Sequence, residues 1–451
     1  MNIKHSKTIY FCGIGGIGMS ALAQLLHADG KQVSGSDMSE SRVTKTLQDL
    51  GITIFTPQNP AHLSDQIDLF VYTSAVPEDH PERQRARELG IPQLSYFETL
   101  GKYMKQFKNA IAVSGTHGKS TTTAIIANML TNAGLNPTVI VGSIVKEFGS
   151  NARVGGKEYI VVEACEHQAH MLDLHPSMIV ITNIEEDHLD FYRNLDHITM
   201  TFQKYVNRLP RNGVFFKNVD DSESEDIGFD GEVVRFGIEH AADVSTEDVL
   251  VSQKHQEFTS NGTRFVLNIP GRFNVYNALA AVAVARRLGI AEEVMQQTLQ
   301  AFRGVWRRFE ILGTYQGTTV ISDYAHHPTA VRSTIKAARQ FYPQERIIVV
   351  FQPHQRDRTK KLFEQFVASF HEAQFVIVQE IYDVAGREDA DLRISATELV
   401  DRIEAQGKYA IYSPNVATTR ERIDTIIEPG DVLLIMGAGD IYKLAEELAR
   451  V

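Results

Sequence analysis

Cysteine is nearly absent from this 451-residue chain, which has only Cys12 and Cys165. Both sit in apolar, strand-like stretches. That excludes a disulfide framework and points to two small core thiols in a reducing compartment. Long apolar runs are missing too. No stretch approaches the roughly 18 consecutive apolar residues of a membrane span. The opening MNIKHSKTIYFCG carries charge but no apolar region of signal-peptide length. The expectation is a cytoplasmic protein with no membrane partner. Positive charge is in deficit, with 45 Lys and Arg against 56 Asp and Glu and a net charge of −11. Nucleic-acid binders need a basic face, so no nucleic-acid partner is expected. A local basic pocket for a small anion stays compatible with this balance.

Low-complexity segments and short repeats are absent as well. What recurs is strand, tight glycine turn and helix, the alternation that builds parallel α/β sheets. It occurs in three blocks, at residues 1–105, 106–312 and 313–451. In the first, Thr8–Cys12 reads as a strand, followed by a glycine turn, a helix ending near Gly30, and a second strand ending at Asp37. IDLFVYTSAVP gives a later strand from Ile67 to Ser74. The second block opens with strand Ala110–Ser114 and a helix carrying Ile125, Ile126, Met129 and Leu130 at helical spacing. Residues 213–268, richer in β-branched and polar residues, predict a small antiparallel appendage. The third block has the strands TTVISDY, RIIVVFQPH, FVIVQEIY and DVLLIMGAGD. Ligands of such sheets sit beyond the carboxyl ends of the strands, so the polar residues there carry the functional reading.

The segment VSGTHGKSTTT resembles a phosphate-binding loop but is shorter than G-x-x-x-x-G-K-[ST]. Gly115, Thr116, His117, Gly118, Lys119, Ser120 and Thr121 form it, between a buried strand and a helix. Backbone N–H groups and the helix dipole make an anion cradle there. Lys119 supplies charge for the outer phosphates, and Ser120 a hydroxyl for Mg2+. Magnesium wants oxygen ligands and shares its shell with nucleotide phosphates. Glu163, closing YIVVE, is the first candidate. Asp187, His188 and Asp190 in NIEEDHLD follow, and Glu166 and His167 are weaker rivals. At the amino end, Gly13, Gly15, Gly16 and Gly18 match G-x-G-x-x-G, with Asp37 about 20 residues further on. Either a dehydrogenase or a second nucleotide-like substrate would use this turn. The separate lysine-bearing loop favours a nucleoside diphosphate substrate in the first block and ATP in the second. Further polar groups are Asn274, Asn277, Arg307, Arg308, Glu310, Asp323, His326, His327, His354, Arg356, Arg358 and Asp440. Helix caps and solvated loops explain each of these as readily as a site does.

Taken in order, GIGGIGMSALA, GTHGKSTTT, TNIEEDHLD, TFQKYVNRLP, NVYNALAA, RRFE, DYAHHPT, FQPH…RT and MGAGDI resemble the Mur ligases of bacterial cell-wall synthesis. The resemblance spans essentially the whole chain, and the shortened loop is that family's own variant. It implies an α/β protein of three domains: a Rossmann-like domain for a UDP-sugar, a central P-loop ATPase domain with a mostly parallel sheet, and a Rossmann-like C-terminal domain for the amino acid. The implied reaction joins L-alanine to UDP-N-acetylmuramate using ATP, through an acyl phosphate, in peptidoglycan precursor synthesis. The implied roles follow. Lys119 and Arg308 hold phosphates and act in catalysis with Glu163 and His188. Ser120, Glu163 and His188 bind magnesium. Asn274 and Asn277 face adenine, and Asp323 faces ribose. Gly13, Gly15, Gly16, Gly18, Asp37, Ser74, His326, His327, His354 and Arg358 contact the other substrates. Either Arg356 or Arg358 could meet the amino-acid carboxylate, and Arg358 is the choice. A monomer or homodimer is expected.

The chain departs from the family in places. After Glu163 it reads Ala-Cys-Glu-His where many members have Ala-Asp-Glu-Ser. TPQNPAH lacks a Gly-His found in the uridine pocket. Lys204 lies where some relatives carry a carbamylated lysine, but its surroundings resemble the branch without it. Other readings are a recycling ligase that joins a tripeptide to the same UDP-sugar, an NAD-dependent oxidoreductase, and a non-catalytic UDP-sugar sensor.

Overall fold

The computed structural model describes residues 3–246, 248–252, 254–383 and 393–450. They form two compact units. One holds the described residues within 1–186, 194–245 and 279–298; the other holds those within 187–193, 246–278 and 299–451.

In the first unit the chain begins with a five-stranded parallel sheet. Its spatial order is Thr53–Phe55, Gln32–Ser36, Thr8–Cys12, Leu69–Tyr72 and Gln93–Ser95. The expected strand through Ser74 stops at Tyr72, and Ser74 lies exposed in the following loop. The glycine turn leads directly into helix Ile17–Ala28, which presses Met19, Leu22, Leu25 and Leu26 into the core. Ser95 caps helix Tyr96–Met104, with Glu98 closing the capping box.

The same unit carries an eight-stranded sheet. In order it runs Val244–Ser245, Glu232–Gly237, Val214–Asn218, Met178–Ile181, Asn109–Ser114, Tyr159–Glu163, Thr138–Val145 and Ser150–Arg153. Only the last pair is antiparallel among the described residues. The strand Asn109–Ser114 is buried beyond its first residue, as a parallel strand covered on both faces should be. This sheet corrects the reading of residues 213–268 as an antiparallel appendage. Val214–Asn218 is buried throughout and pairs in parallel with Met178–Ile181, so it extends the central sheet. Among the described residues of this segment, only Val249–Ser252, His255–Ser260 and Thr263–Leu267 form a small antiparallel sheet, and they belong to the second unit. The β-branched composition of the segment fits both kinds of strand. The partner strand decided between them.

The second unit also holds a six-stranded sheet ordered Glu310–Tyr315, Thr318–Asp323, Val432–Met436, Ile347–Phe351, Phe375–Gln379 and Tyr409–Ser413. The first pair is antiparallel and the rest parallel. Alternate residues feed two cores. Ile347, Val349 and Phe351 face one side with Leu434, while Ile348 and Val350 face the other with Leu433 and Ile435. Covering both faces leaves the strand ends as the accessible polar edges. Among the described residues no helix is long and apolar enough to cross a membrane.

Candidate active site

The phosphate-type loop follows strand Asn109–Ser114 and is held from behind by the end of strand Met178–Ile181. Asn183 clamps His117 on both sides: its Oδ1 accepts from the His117 N–H at 2.9 Å and its Nδ2 donates to the His117 carbonyl at 3.1 Å. Thr182 Oγ1 donates to the same carbonyl at 2.6 Å. The Thr116 N–H donates to the Asn183 carbonyl. Gly115 cannot be replaced cheaply here. Its φ is +131°, and a Cβ would lie 2.1 Å from Thr182 Oγ1. Gly118, at φ +84°, then turns the chain into helix Lys119–Asn132. The short loop therefore presents N–H groups at a helix start, as anion binding requires.

Lys119 Nζ donates to the carbonyls of Gly115 (2.6 Å) and Thr116 (3.1 Å) and pairs with Glu166 at 2.9 Å. The side chains of Lys119 and Glu166 expose only 14% and 4% of their surface. Burial opposes the lysine charge, but the Glu166 carboxylate and the neighbouring Cys165 and Glu163 outweigh it and hold the ammonium above its ordinary range. Burial, then Glu166, pushes the Cys165 thiol up to about 12. Cys165, expected within a strand, instead follows one and is half-buried; both cysteines are free thiols. The stretch after Glu166 winds the wrong way, with Gln168 at φ 52° and Ala169 at φ 58°. A left-handed turn costs about 1–2 kcal/mol per non-glycine residue, and such strain gathers at functional sites.

Two observations bear on magnesium. Ser120 Oγ is buried and, among the described residues, has no hydrogen-bond partner. An orphaned hydroxyl at this point suits an oxygen ligand better than a structural role. Glu163 ends its strand and is fixed by a 2.7 Å hydrogen bond from the Gly142 N–H to its Oε2. Gly142 is needed for this approach, because a Cβ there would meet Glu163 Oε2 at 2.8 Å. Sequence reasoning passed over Gly142, although an isolated glycine inside the apolar strand TVIVGSIV is a known mark of close approach. It also ranked Glu166 as a spare metal ligand and missed its pairing with Lys119.

The N-terminal glycine turn is organised by Asp37. Its Oδ2 accepts from the Gly15 N–H at 2.8 Å and its Oδ1 from the Met38 N–H at 2.8 Å. A Cβ on Gly15 would strike that carboxylate at 2.8 Å, and one on Gly18 would strike the Tyr96 ring at 2.7 Å. Gly13 has φ +81° and could not carry a side chain past Thr73. Gly16 is the residue before helix Ile17–Ala28.

The second unit gathers most of the remaining candidates. Arg358 Nη2 donates to Asp187 Oδ1 at 2.9 Å, and both side chains are buried. Burial raises the Asp187 pKa, but Arg358 and then His188, His326 and His327 outweigh it and hold the carboxyl well below its usual range. His188 has φ 53°, and its N–H donates to Asp187 Oδ1 at 2.7 Å. His326 Nδ1 lies 2.9 Å from the Tyr324 carbonyl. Burial and then Arg358 hold it well below the ordinary histidine range. His354 stacks on Tyr382 with ring centres 5.5 Å apart. His327 is buried at the start of helix Pro328–Phe341. Arg356, the other candidate for the amino acid, pairs with Asp383 and Glu380 instead.

Asn277 Nδ2 donates to Asn274 Oδ1 at 3.0 Å, and Asn274 Nδ2 to the Pro270 carbonyl at 2.6 Å, in the first turns of helix Arg272–Arg287. Asp323 ends strand Thr318–Asp323 and accepts from the Phe309 and Ala325 N–H groups at 2.6 and 2.7 Å. Burial raises its pKa despite Arg308 and those donors. The two arginines of RRFE part ways. Arg307 is buried, donates to the carbonyls of Gly437 and Gly439, and lies over the Tyr324 and Tyr442 rings. Arg308 lies over the Tyr324 ring at 4.7 Å and is only half-buried, so it is the more available cation.

Three family models match in succession. "Mur ligase family, catalytic domain" covers residues 8–108, "Mur ligase middle domain" 113–285, and "Mur ligase, glutamate ligase domain" 307–439. The chain belongs to the Mur ligase family. Among its curated relatives is a Lachnospira eligens protein, 41% identical over 98% of both chains, and an Aquifex aeolicus protein, 40% identical over 98% of this chain and 97% of its own. Both are named UDP-N-acetylmuramate–L-alanine ligase. A solved UDP-N-acetylmuramate-alanine ligase from Thermotoga maritima superposes with a TM-score of 0.82 at 32% identity, covering 98% of each chain. A murein peptide ligase from Psychrobacter arcticus shares the fold, with a TM-score of 0.74 at 24% identity. In this Mur ligase, the shortened loop lies between a buried strand and a helix start, held in place by Asn183.

Proposed function

We propose that this Mur ligase joins L-alanine to UDP-N-acetylmuramate with consumption of ATP, in peptidoglycan precursor synthesis. The observation that carries the reading is the match, over nearly the full chain at 38–41% identity, to proteins that bear this activity in their names. The buried loop lysine supports its ATP-dependent part. A carboxylate is a poor electrophile at neutral pH. The lactyl carboxylate of the sugar therefore attacks the γ-phosphate of ATP, releasing ADP and leaving an acyl phosphate. The amine of L-alanine attacks the acyl carbon, phosphate departs, and the amide remains. The protein's share is positioning and charge neutralisation.

In the first unit, the loop from Gly115 to Thr121 cradles the phosphates and Lys119 neutralises them. Ser120 and Glu163 are the oxygen ligands for Mg2+, and the orphaned Ser120 hydroxyl fits that task. A bound magnesium ion supplies charge neutralisation on the phosphate oxygens. The family resemblance implies His188 as a further metal ligand. The turn Gly13–Gly18 receives the diphosphate of the sugar nucleotide. Asp37, turned back onto Gly15, supports this over NAD, whose ribose the acidic residue of that fingerprint would bind. In the second unit, Arg308 is assigned to phosphate, Asn274, Asn277 and Asp323 to the nucleoside, and His326, His327, His354 and Arg358 to the lactyl and amino-acid end. The proposed organisation is 1–105 for the sugar nucleotide, 106–312 for ATP and 313–451 for the amino acid. The proposed compartment is the cytoplasm, which suits two free thiols.

The deciding experiment is ADP release with UDP-N-acetylmuramate and a panel of amino acids and short peptides. Release with L-alanine is the expected result. Release only with a tripeptide would replace this reading with the recycling reaction.

A further inference from the structure

We propose that Glu166 is a positioning residue for the loop lysine, holding Lys119 folded onto its own loop until nucleotide phosphate takes the ammonium over. The inference rests on the ATP-dependent reading of this loop.

Lys119 donates to two loop carbonyls, Gly115 and Thr116, and to the Glu166 carboxylate at 2.9–3.0 Å. Two of these acceptors belong to the loop itself and the third to the segment after strand Tyr159–Glu163, so the ammonium is held by the protein's own oxygens. Nearly complete burial of Glu166 makes this a low-dielectric pair, stronger than a surface one. The position of Glu166 is not incidental. Its carbonyl accepts from the Ala169 N–H at 2.9 Å, and the Cys165 carbonyl accepts from the Met171 N–H at 3.0 Å. These bonds close a tight turn through the left-handed pair Gln168 and Ala169. A strained turn therefore sets the carboxylate against the lysine.

Two physical consequences follow. A nucleotide phosphate competes with Glu166 for the same ammonium, so the measured affinity is reduced by the fraction of protein with the lysine engaged elsewhere. The Glu166 charge also repels an incoming phosphate. Both effects weaken nucleotide binding, and both are removed when the carboxylate is replaced by its neutral isostere. The pair in turn keeps the buried lysine satisfied between turnovers.

The test uses the full-length protein and its Glu166→Gln and Glu166→Asp variants. ADP binding is measured by titration calorimetry at fixed Mg2+, and ADP release is measured with ATP and UDP-N-acetylmuramate varied separately. Glu166→Gln is expected to bind ADP roughly five- to tenfold more tightly, as the competing state is lost, with the KM for UDP-N-acetylmuramate unchanged. Glu166→Asp, which keeps the charge, should restore most of the original affinity. An unchanged ADP affinity in Glu166→Gln overturns the proposal. So does a weaker one with a raised Mg2+ requirement, which would make Glu166 a metal oxygen. If Glu166→Gln does not fold, Glu166→Ala takes its place as the variant without the carboxylate. A tightening of the same order then supports the proposal, and an unchanged affinity overturns it. Failure of the unaltered protein to bind ADP or ATP would overturn the ATP reading itself, a result separate from either variant's.

Discussion

Arg358 Nη2 and Asp187 Oδ1 are 2.9 Å apart, with 9% and 10% of their side chains exposed. The arginine expected to meet the carboxylate of the amino-acid substrate thus has a carboxylate partner within the protein. Removing one member of a buried pair strands the other, at a cost of about 3–5 kcal/mol. Arg358→Ala should therefore lower the melting temperature as well as raise the KM for L-alanine. The double variant Arg358→Ala/Asp187→Ala should recover part of the lost stability but not the KM. If Arg358→Ala left both stability and the KM for L-alanine intact, the arginine would be neither anchor nor ligand.

Lys119→Ala should reduce ADP release by about 10²–10³-fold, the usual cost of losing a preorganised charge-stabilising group. The fold should survive, because the lysine faces the loop carbonyls and Glu166 rather than the apolar core, but the melting temperature should fall as the buried Glu166 carboxylate loses its partner. Turnover close to the original would remove the phosphate role from this loop.

Gly142→Ala addresses the metal. The new methyl would sit 2.8 Å from Glu163 Oε2 at a position without positive φ, so the carboxylate has to move while the strand keeps its path. Disturbing a residue that orients a ligand typically costs about 10–100-fold in metal affinity. The Mg2+ concentration giving half-maximal rate should rise by that order with little change in melting temperature. An unaltered Mg2+ dependence would take Glu163 out of the metal site.

Asp37→Ala releases the Gly15 N–H from its carboxylate. Hydrogen bonds to charged groups contribute about 1.5–3 kcal/mol, so the KM for UDP-N-acetylmuramate should rise about tenfold or more while the KM for ATP stays put. Titration of the unaltered protein with NAD should give no heat. Tight NAD binding with none to the UDP-sugar would turn the first sheet into a dehydrogenase module.

Asp221 gives a pH signature. Burial raises its pKa to about 6, against the lowering effect of the Ser224 and Ile184 N–H groups that it accepts. A carboxyl with a raised folded pKa stabilises the fold fully below its unfolded pKa, near 4. That contribution is lost as pH rises through about 6. A shift of this size corresponds to about 2–3 kcal/mol. Asp221→Asn, which can still cap Ser224, should flatten the stability profile between about pH 4 and 6. Equal pH profiles for the two proteins would show that the carboxyl titrates normally.

The amino-acid sequence by itself determined the alternation of strand, glycine turn and helix, and with it the parallel sheets. It also determined the family, because the glycines and the lysine of GTHGKSTTT satisfy local demands. Gly115 and Gly118 need positive φ, and Lys119 needs a helix start beside them. Such demands lie within a few residues and can be read from a string. The tertiary structure alone decided that Val214–Asn218 joins the central sheet, since its composition suited either partner. It alone decided that Gly142 makes room for Glu163, that Glu166 neutralises Lys119, and that Asp187 pairs with Arg358 across 171 positions. Each of these is a contact between segments far apart in sequence, fixed by which strands and turns lie side by side. Burial then gives those charges their strength, and burial belongs to the folded molecule and not to the order of its residues.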